Sequence, residues 1–391
     1  MLEKIIFWFS FFFVLYAYLG YPAVLIILSK FFPKPVHKGK PSIAPIISII
    51  IAVKDEEKRI ENRIRNILDQ DYPDDKIENI VISDGSTDGT LAKVQRLAEE
   101  AAAKNIPVMY KEYSPSKGKV AALNTGIELA SGEIVVFADA RQKFNQNTIS
   151  ELVANFSDSA VGGVSGGLNF VESENSTIKS QMGAYWRYEK NIRRLESSIG
   201  SVIGVTGAVY AMRKNLYREL PPVTLLDDVL IPMNIVMQGY RVVFDKTAIA
   251  VDVVSQDIKQ EWKRKIRTLA GNWQLISLRP ELFDFRRNKL FFQFFSHKIA
   301  RLLVPFFLVV LLAASILLDG IFYRCVEYGQ LVAYFIAIAS HLFPRLQSHS
   351  IAKTLYFFCT LNLAAIVGFY IWISGRCSTI WSSPNAGNFM K

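Results

Sequence analysis

The sequence predicts an α/β protein with a mostly parallel sheet, helices on both faces of that sheet, and membrane-spanning helices at both ends of the chain. Between residues 46 and 138, short apolar runs alternate with stretches of helical periodicity, which is typical of strand–helix–strand units. Long segments without charge flank this central region. The 391 residues give room for one large domain or two smaller ones.

Four segments are candidate membrane spans. Ile5–Leu28 and Thr354–Gly375 carry no charge and are long enough to cross a bilayer core of about 30 Å. Leu302–Leu318 and Tyr328–Phe343 are shorter, near the lower limit of roughly 17 residues. The residues between these two include three charged ones, which predicts a hairpin of helices: Asp319, Arg324 and Glu327.

The first segment predicts a retained anchor, because it is too long for a signal-peptide core and lacks a small-x-small cleavage site. Lysines are concentrated after this segment, at Lys30, Lys34, Lys38 and Lys40, whereas only Lys4 precedes it. The positive-inside rule then places the central domain in the cytoplasm, in a multi-pass protein of the plasma (inner) membrane. The net charge of +10 fits contact with anionic membrane lipid.

The predicted organisation follows the chain in six parts. These are an anchor (1–30), a linker (31–45), a cytoplasmic domain (46–255), amphipathic interfacial helices (256–300), three membrane helices (301–376) and a tail (377–391).

Several classes of protein are disfavoured by missing patterns. The first apolar run ends in Ala52-Val53-Lys54-Asp55, which is not a glycine-rich dinucleotide fingerprint. Gly118-Lys119 is followed by Val120 rather than Ser or Thr, so a phosphate-binding loop of the ATPase type is excluded. No nucleic-acid-binding module is recognisable. The three cysteines and four histidines show no metal-site spacing.

The central prediction concerns Asp84, which follows the predicted strand Ile77–Ile82 and precedes the predicted helix Leu91–Ala103. Ligands of open α/β sheets bind at the carboxyl ends of the strands. Thr87 or Asp88 suffices to cap the helix. We therefore expect Asp84 to be exposed at the strand end and free of a structural task.

A second carboxylate, Asp139, follows the predicted strand Ile134–Ala138 at the same edge. Magnesium is typically held by one or two carboxylates together with substrate phosphates. The alternative is that Asp139 only caps the next helix. Its place beside Asp84 at one sheet edge favours a ligand role.

A pair of acids, Asp227-Asp228, lies at a predicted helix start, after the glycine-punctuated run Gly204–Tyr210. Adjacent acids push their pKa values apart, which is one way to produce a general base. The alternative is that acids are simply favoured at a helix N-terminus.

Residues 256–301 are basic and aromatic, which is typical of helices lying on the cytoplasmic leaflet. Membrane anchoring alone would account for them. A single arginine or tryptophan of this region, such as Arg267 or Trp273, could still face the active site.

Together these residues resemble the family 2 glycosyltransferases, in particular their membrane-embedded polysaccharide-synthase-like branch. The matching stretches, in chain order, are Asp84 after the second strand, Gly118-Lys119-Val120-Ala121-Ala122-Leu123-Asn124, Asp139-Ala140-Arg141 in place of D-x-D, and Asp227-Asp228 in place of E-D. The resemblance implies a GT-A fold, a nucleotide-sugar donor, usually linked to UDP, and Mg2+ or Mn2+. It implies transfer with inversion to a polysaccharide or lipid-linked acceptor.

The resemblance also implies roles for individual residues. Asp228 would be the catalytic base beside Asp227, and Asp139 the metal ligand. The residues implied to bind substrate are Ala52, Asp84, Lys119, Asp139, Arg141, Thr206, Gly207, Arg267 and Trp273.

The sequence departs from the family pattern at three places. Arg141 replaces the second aspartate of D-x-D, Asp227 replaces a glutamate, and the Q-x-x-R-W signature of processive synthases is absent. A non-catalytic, nucleotide-binding subunit of a polysaccharide assembly complex is therefore the alternative function, and Arg141 is the residue that favours it.

Overall fold

The structure, a computed structural model, describes residues 1–39, 43–103, 106–171, 179–253 and 258–377. Lys40 and Pro41 of the predicted linker, the predicted domain boundary at residues 254–257, and the tail from residue 378 lie outside the described residues.

The central domain is built on one eight-stranded sheet with the order β3-β2-β1-β4-β7-β6-β8-β5. Its strands are β1 (Ile47–Val53), β2 (Ile77–Asp84), β3 (Val108–Tyr113), β4 (Ile134–Ala138), β5 (Lys143–Phe144), β6 (Val161–Val171), β7 (Val209–Arg213) and β8 (Arg241–Val253). The β1–β2, β1–β4, β2–β3 and β6–β8 pairs are parallel, whereas β4–β7, β6–β7 and β5–β8 are antiparallel. The sheet is therefore mixed, with its parallel strands concentrated in the first half of the domain.

Helices cover both faces of the sheet, as predicted. They are α2 (Ile60–Leu68), α3 (Thr90–Ala102), α4 (Lys119–Leu129), α5 (Thr148–Ala154), α6 (Lys179–Ile199) and α7 (Asp227–Met237). The next helix, α8 (Ile258–Leu278), packs on the last membrane helix, while α1 is the N-terminal membrane helix given below. Strand β1 is buried throughout, and its alternate side chains enter two different cores. Ile50 packs with residues of α4 and α7, whereas Ile49 packs with residues of α2, α3 and α5.

Four helices among the described residues are long and apolar enough to cross a membrane. They are α1 (Leu2–Phe31), α9 (Phe291–Ile316), α10 (Ile321–Leu342) and α11 (Ser350–Ile373). Two boundaries differ from the sequence prediction. Arg324 and Glu327 lie inside α10, paired at 2.8 Å, rather than in a connecting loop. Residues 291–300 belong to α9 rather than to a separate interfacial helix, because their buried side chains, such as Phe294, pack into the domain core.

The membrane helices and the domain are joined by specific contacts. One π-helical turn interrupts α1 at Tyr16–Gly20 and another interrupts α9 at Phe295–Ile299, and the Tyr16 and Ser296 hydroxyl oxygens lie 2.6 Å apart. The described part of the predicted linker contacts the domain surface, since Lys38 Nζ lies 2.7 Å from Asp245 Oδ2.

Candidate active site

The ends of separate elements bring three charged side chains into one cluster. Lys119 begins α4, Asp139 follows β4, and Asp227 begins α7. Lys119 Nζ lies 3.2 Å from Asp227 Oδ2 and 3.5 Å from Asp139 Oδ1. The alternative that Asp139 only caps the next helix is wrong, because β5 comes next and the helix after it begins with Asn147 as its N-cap.

Within the cluster, the Lys119 amine stays protonated. Burial opposes the charge on Lys119, but the carboxylates of Asp139, Asp227 and Asp228 together raise the pKa of Lys119 above its usual value. A protonated amine fixed at this sheet edge suits an anionic ligand such as a diphosphate.

Asp228 stands beside the cluster in a setting that suits a general base. Burial, and then the charge of Asp227, raises the pKa of Asp228, while the charges of Lys298, Lys119 and Arg193 oppose that rise. The loop before β7 wraps around it, since the Val205 N–H donates to the Asp228 backbone oxygen at 2.8 Å. Both acids also lie in the first turn of α7, so the helix-terminus interpretation and the catalytic one coexist.

The expectation that Asp84 is exposed and free of a structural task is wrong. Asp84 is fully buried, and its carboxylate accepts hydrogen bonds from the Ser116 hydroxyl at 2.7 Å and from the Lys117 and Gly118 N–H groups at 2.6 and 3.0 Å. Gly85 allows this close approach, since it has a φ of +68° and a Cβ there would lie 2.8 Å from the Ser116 nitrogen. Asp84 thus holds the loop that comes directly before Lys119.

The helix after this turn has Gly89 as its N-cap, rather than Thr87 or Asp88 as predicted. Asp88 accepts a hydrogen bond from the Thr90 N–H at 3.0 Å. Thr87 instead donates its N–H and hydroxyl to Asp55 at 2.8 and 3.2 Å, so it ties the turn to the end of β1.

Arg141, in the third position of the D-x-D stretch, is turned towards a buried acid. Its Nη2 lies 2.7 Å from Asp252 Oδ2, and Asp252 also accepts from Gln142 Nε2 at 2.9 Å. The Asp252 side chain is 1% exposed, whereas that of Asp139 is 38% exposed. Asp139 is therefore the accessible carboxylate of this stretch.

The side chains around the cluster fit only a weak site for a divalent metal ion. Within the described ranges, no three His, Cys, Asp or Glu side chains are grouped so as to hold a metal ion. One accessible carboxylate suffices for magnesium when substrate phosphates and water complete its shell. Asp139 fits that mode of binding, with Arg141 excluded as a ligand by its charge.

Other predicted substrate-binding residues are dispersed. Ala52 is buried in β1, where it pairs with Ile82. The Thr206 hydroxyl accepts a hydrogen bond from Arg193 Nη1 at 2.8 Å, and a Cβ at Gly207 would touch the Asp228 Cβ at 3.6 Å, so both lie on the Asp228 side of the cluster.

The two remaining candidates lie on α8, which packs against Leu225 and Leu226 just before Asp227. Arg267 is exposed. Trp273 is buried against aromatic rings of the membrane helices, with ring centroids 5.0 Å from Phe369 and 5.9 Å from Trp372. Their roles in substrate binding stay predictions.

Two further residues beside the cluster were missed by the sequence analysis. Arg63 on α2 is buried over the Phe144 ring and donates to the Gln142 backbone oxygen at 2.9 Å. Burial lowers the pKa of Arg63 to about 9, against the opposing effect of Asp139. Tyr210 stacks on Phe137, and its buried hydroxyl has no hydrogen-bond partner within the described part of the chain. An arginine in an amphipathic helix and a tyrosine in an apolar strand carry no sequence signal that would separate them from core residues.

Comparison with known proteins agrees with this geometry. Residues 48–220 match the profile of glycosyl transferase family 2. The central domain thus matches the family 2 glycosyltransferase pattern over residues 48–220. The matched region contains Lys119 and Asp139 of the cluster and ends shortly before Asp227-Asp228.

Proteins similar to this chain include a polysaccharide synthase. The chain is 25% identical over 236 residues to the poly-beta-1,6-N-acetyl-D-glucosamine synthase of Staphylococcus aureus, a match that covers 59% of this chain and 55% of the synthase. The chain thus spans little more than half of that relative. It is 23% identical over 296 residues to YdaM of Bacillus subtilis, described as a probable glycosyltransferase, with 71% of this chain and 67% of YdaM covered.

The fold is shared with a solved structure. A mannosyltransferase from Pyrobaculum calidifontis, in complex with GDP-Man and Mn2+, aligns with a TM-score of 0.70 at 23% identity, covering 96% of this chain and 100% of that one. The GT-A fold predicted for the central domain is confirmed.

Proposed function

We propose that the protein is a membrane glycosyltransferase that transfers a sugar, with inversion, from a UDP-sugar to a growing cell-surface polysaccharide or a glycolipid. The observation that carries this proposal is the contact of Lys119 with both Asp139 and Asp227, beside the partly buried Asp228. This arrangement supports the proposal, because a fixed cation suits a leaving diphosphate and a partly buried carboxylate suits the deprotonation of an acceptor hydroxyl.

The reaction is a single displacement. The acceptor hydroxyl oxygen forms a bond to the anomeric carbon of the donor while the bond from that carbon to the diphosphate oxygen breaks. The hydroxyl proton passes to Asp228, and the electron pair leaves with the nucleoside diphosphate. Lys119 stabilises the charge that develops on the diphosphate, and the transition state has oxocarbenium character.

Asp139 would hold a divalent cation together with the donor diphosphate and water. When bound, the cation supplies further positive charge for the leaving group. Arg141 contributes a second positive charge at this edge while its contact with Asp252 is kept.

The lysines that follow α1 favour a cytoplasmic position for the domain in the plasma (inner) membrane. Nucleotide sugars are made in the cytoplasm, so this orientation matches the donor.

A donor panel separates this proposal from the alternative of a non-catalytic subunit. The purified full-length protein is incubated with UDP-linked and GDP-linked sugars, and released nucleoside diphosphate is measured. We expect release from one UDP-sugar above all others. A protein that binds UDP but releases it from no donor would be the non-catalytic subunit.

A further inference from the structure

One face of α6 connects the membrane helices to the base. Glu189, Arg193 and Glu196 are spaced by four and three residues, so they share that face. His297, in the π-helical turn of α9, lies between the two acids, with Nε2 2.9 Å from Glu189 and Nδ1 2.8 Å from Glu196. Tyr21 of α1 donates its hydroxyl to Glu196 at 2.6 Å. Both glutamates are thus occupied by α1 and α9.

Two cations at this junction lack a directly contacting carboxylate among the described residues, although the charges of Glu189, Glu196 and Asp228 still act on Lys298. Arg193 donates to the Thr206 hydroxyl at 2.8 Å, in the loop that wraps around Asp228. Lys298 follows His297 in the same π-helical turn. Neither Arg193 nor Lys298 has a carboxylate oxygen within 4.0 Å among the residues that the structure describes, although both are partly buried.

These cations act on the Asp228 side of the site. The charges of Lys298 and Arg193 both oppose the protonation of Asp228. Lys265 of α8 adds a third positive charge close to Lys298, with Glu261 as its acid at 3.9 Å. The donor cation Lys119 is a separate group, already engaged by Asp139 and Asp227.

Partly buried cations gain from a direct contact with an anion. Lys298 lies near the start of α9, a helix long enough to cross a membrane, and with α9 taken as a span an anion bound there lies at the level of lipid headgroups. Arginine and lysine together suit a phosphate, which accepts several charge-assisted hydrogen bonds.

We propose that Arg193 and Lys298 bind the phosphate of a lipid-linked acceptor and so place the acceptor's sugar hydroxyl at Asp228. This rests on the proposed function and names its acceptor class: a sugar joined to a lipid through phosphate. The phosphate anchors the acceptor and is not the nucleophile. A phosphate oxygen would need no base, whereas Asp228 in this mechanism accepts the proton of a hydroxyl group.

Three acceptors test the proposal with the best donor of the panel. They are a hexose joined to a ten-carbon chain through a phosphodiester, the neutral decyl glycoside of the same hexose, and the hexose methyl phosphodiester without the chain. We expect the decyl phosphodiester to have a KM at least about tenfold below that of the decyl glycoside, because charge-assisted hydrogen bonds to phosphate contribute that much. Its KM should also lie below that of the methyl phosphodiester. A lower KM for the methyl phosphodiester would indicate that the site binds a soluble phosphate and would overturn the lipid assignment.

Two variants locate the effect. Arg193→Gln and Lys298→Gln should each bring the KM ratio of the two decyl acceptors towards one, whereas Arg193→Lys should keep most of it. Arg194→Gln and Lys263→Gln, which remove exposed charges next to the same helices, should leave the ratio unchanged. Equilibrium binding of the decyl phosphodiester without donor gives a second measurement on the same variants.

The outcomes separate the two proposals. Release of nucleoside diphosphate together with equal KM values for the two decyl acceptors would overturn the phosphate site alone. If both variants raised the KM of the donor and left the KM of the acceptor unchanged, these cations would belong to the donor site. That result would also overturn the phosphate site. A protein that releases no nucleoside diphosphate from any donor would overturn both the function and the acceptor class.

Discussion

Replacing Asp228 by Asn should abolish transfer while leaving donor binding largely intact. Asn has the shape of Asp but cannot take a proton from the acceptor, and the loss of a general base typically costs about 100- to 10,000-fold in rate. That corresponds to roughly 2.7 to 5.4 kcal/mol in the barrier. The contacts of Lys119 with Asp139 and Asp227 do not involve Asp228, so the donor side of the cluster should persist.

The assay measures turnover with the best donor and the dissociation constant of that donor by calorimetry. Asp228→Glu, which keeps a carboxylate, should retain more activity than Asn. Asp75→Asn, at a side chain 74% exposed, is the matched control for the loss of one acid and should turn over normally. Turnover of Asp228→Asn close to that of the wild type would refute the assignment of the base.

Four further results are expected. Burial and the charge of Asp227 raise the pKa of Asp228, so activity should fall on acidification at a higher pH than it would with an ordinary carboxyl group. Asp227→Asn should move this acidic limb of the kcat–pH profile to lower pH. A limb that does not move would contradict the coupling of the two acids. Arg141→Asp should lower the free energy of unfolding by about 2 kcal/mol or more, since it sets a carboxylate against the buried Asp252. Adding Asp252→Asn to this variant should restore most of the melting temperature. Full stability of the single variant would show that the ion pair is dispensable. Activity should need magnesium or manganese at relatively high concentration and vanish in Asp139→Ala, whereas full turnover in excess EDTA would mean that the resident cations suffice. A cysteine at exposed position Lys58, in a background without the native cysteines, should resist an impermeant thiol reagent added outside intact cells, and ready labelling would reverse the topology.

The placement of acids at strand ends could be predicted from sequence because it is local. An apolar run that ends in Asp139, or a helix that starts at Asp227-Asp228, is visible in a few residues. Parallel neighbours in a sheet then bring such ends to one edge, which is where the structure has them.

The partners of these acids could not be predicted because they come from distant parts of the chain. Asp84 is satisfied by residues 116–118, and Arg141 by an acid 111 positions later. A strand-end carboxylate that binds a ligand and one that fixes a loop have the same local pattern. Only the folded chain distinguishes them.

The same limit applies at the membrane boundary. Aromatic and basic residues before a span predict an interfacial helix, but Phe294 is buried in the domain core and His297 is buried against α6 and α1. A charge such as Lys298 thus changes from a surface anchor to a group beside the base.

The most direct test of the account follows the sugar itself. Purified full-length protein is given a UDP-sugar labelled in the sugar, together with a lipid extract from its native membrane, and label is measured in the lipid and polymer fractions. The account predicts label in one of these fractions, joined with the opposite anomeric configuration to that of the donor, and no label from Asp228→Asn. Label that stays in the donor or appears only as free sugar, with any donor of the panel, would contradict it.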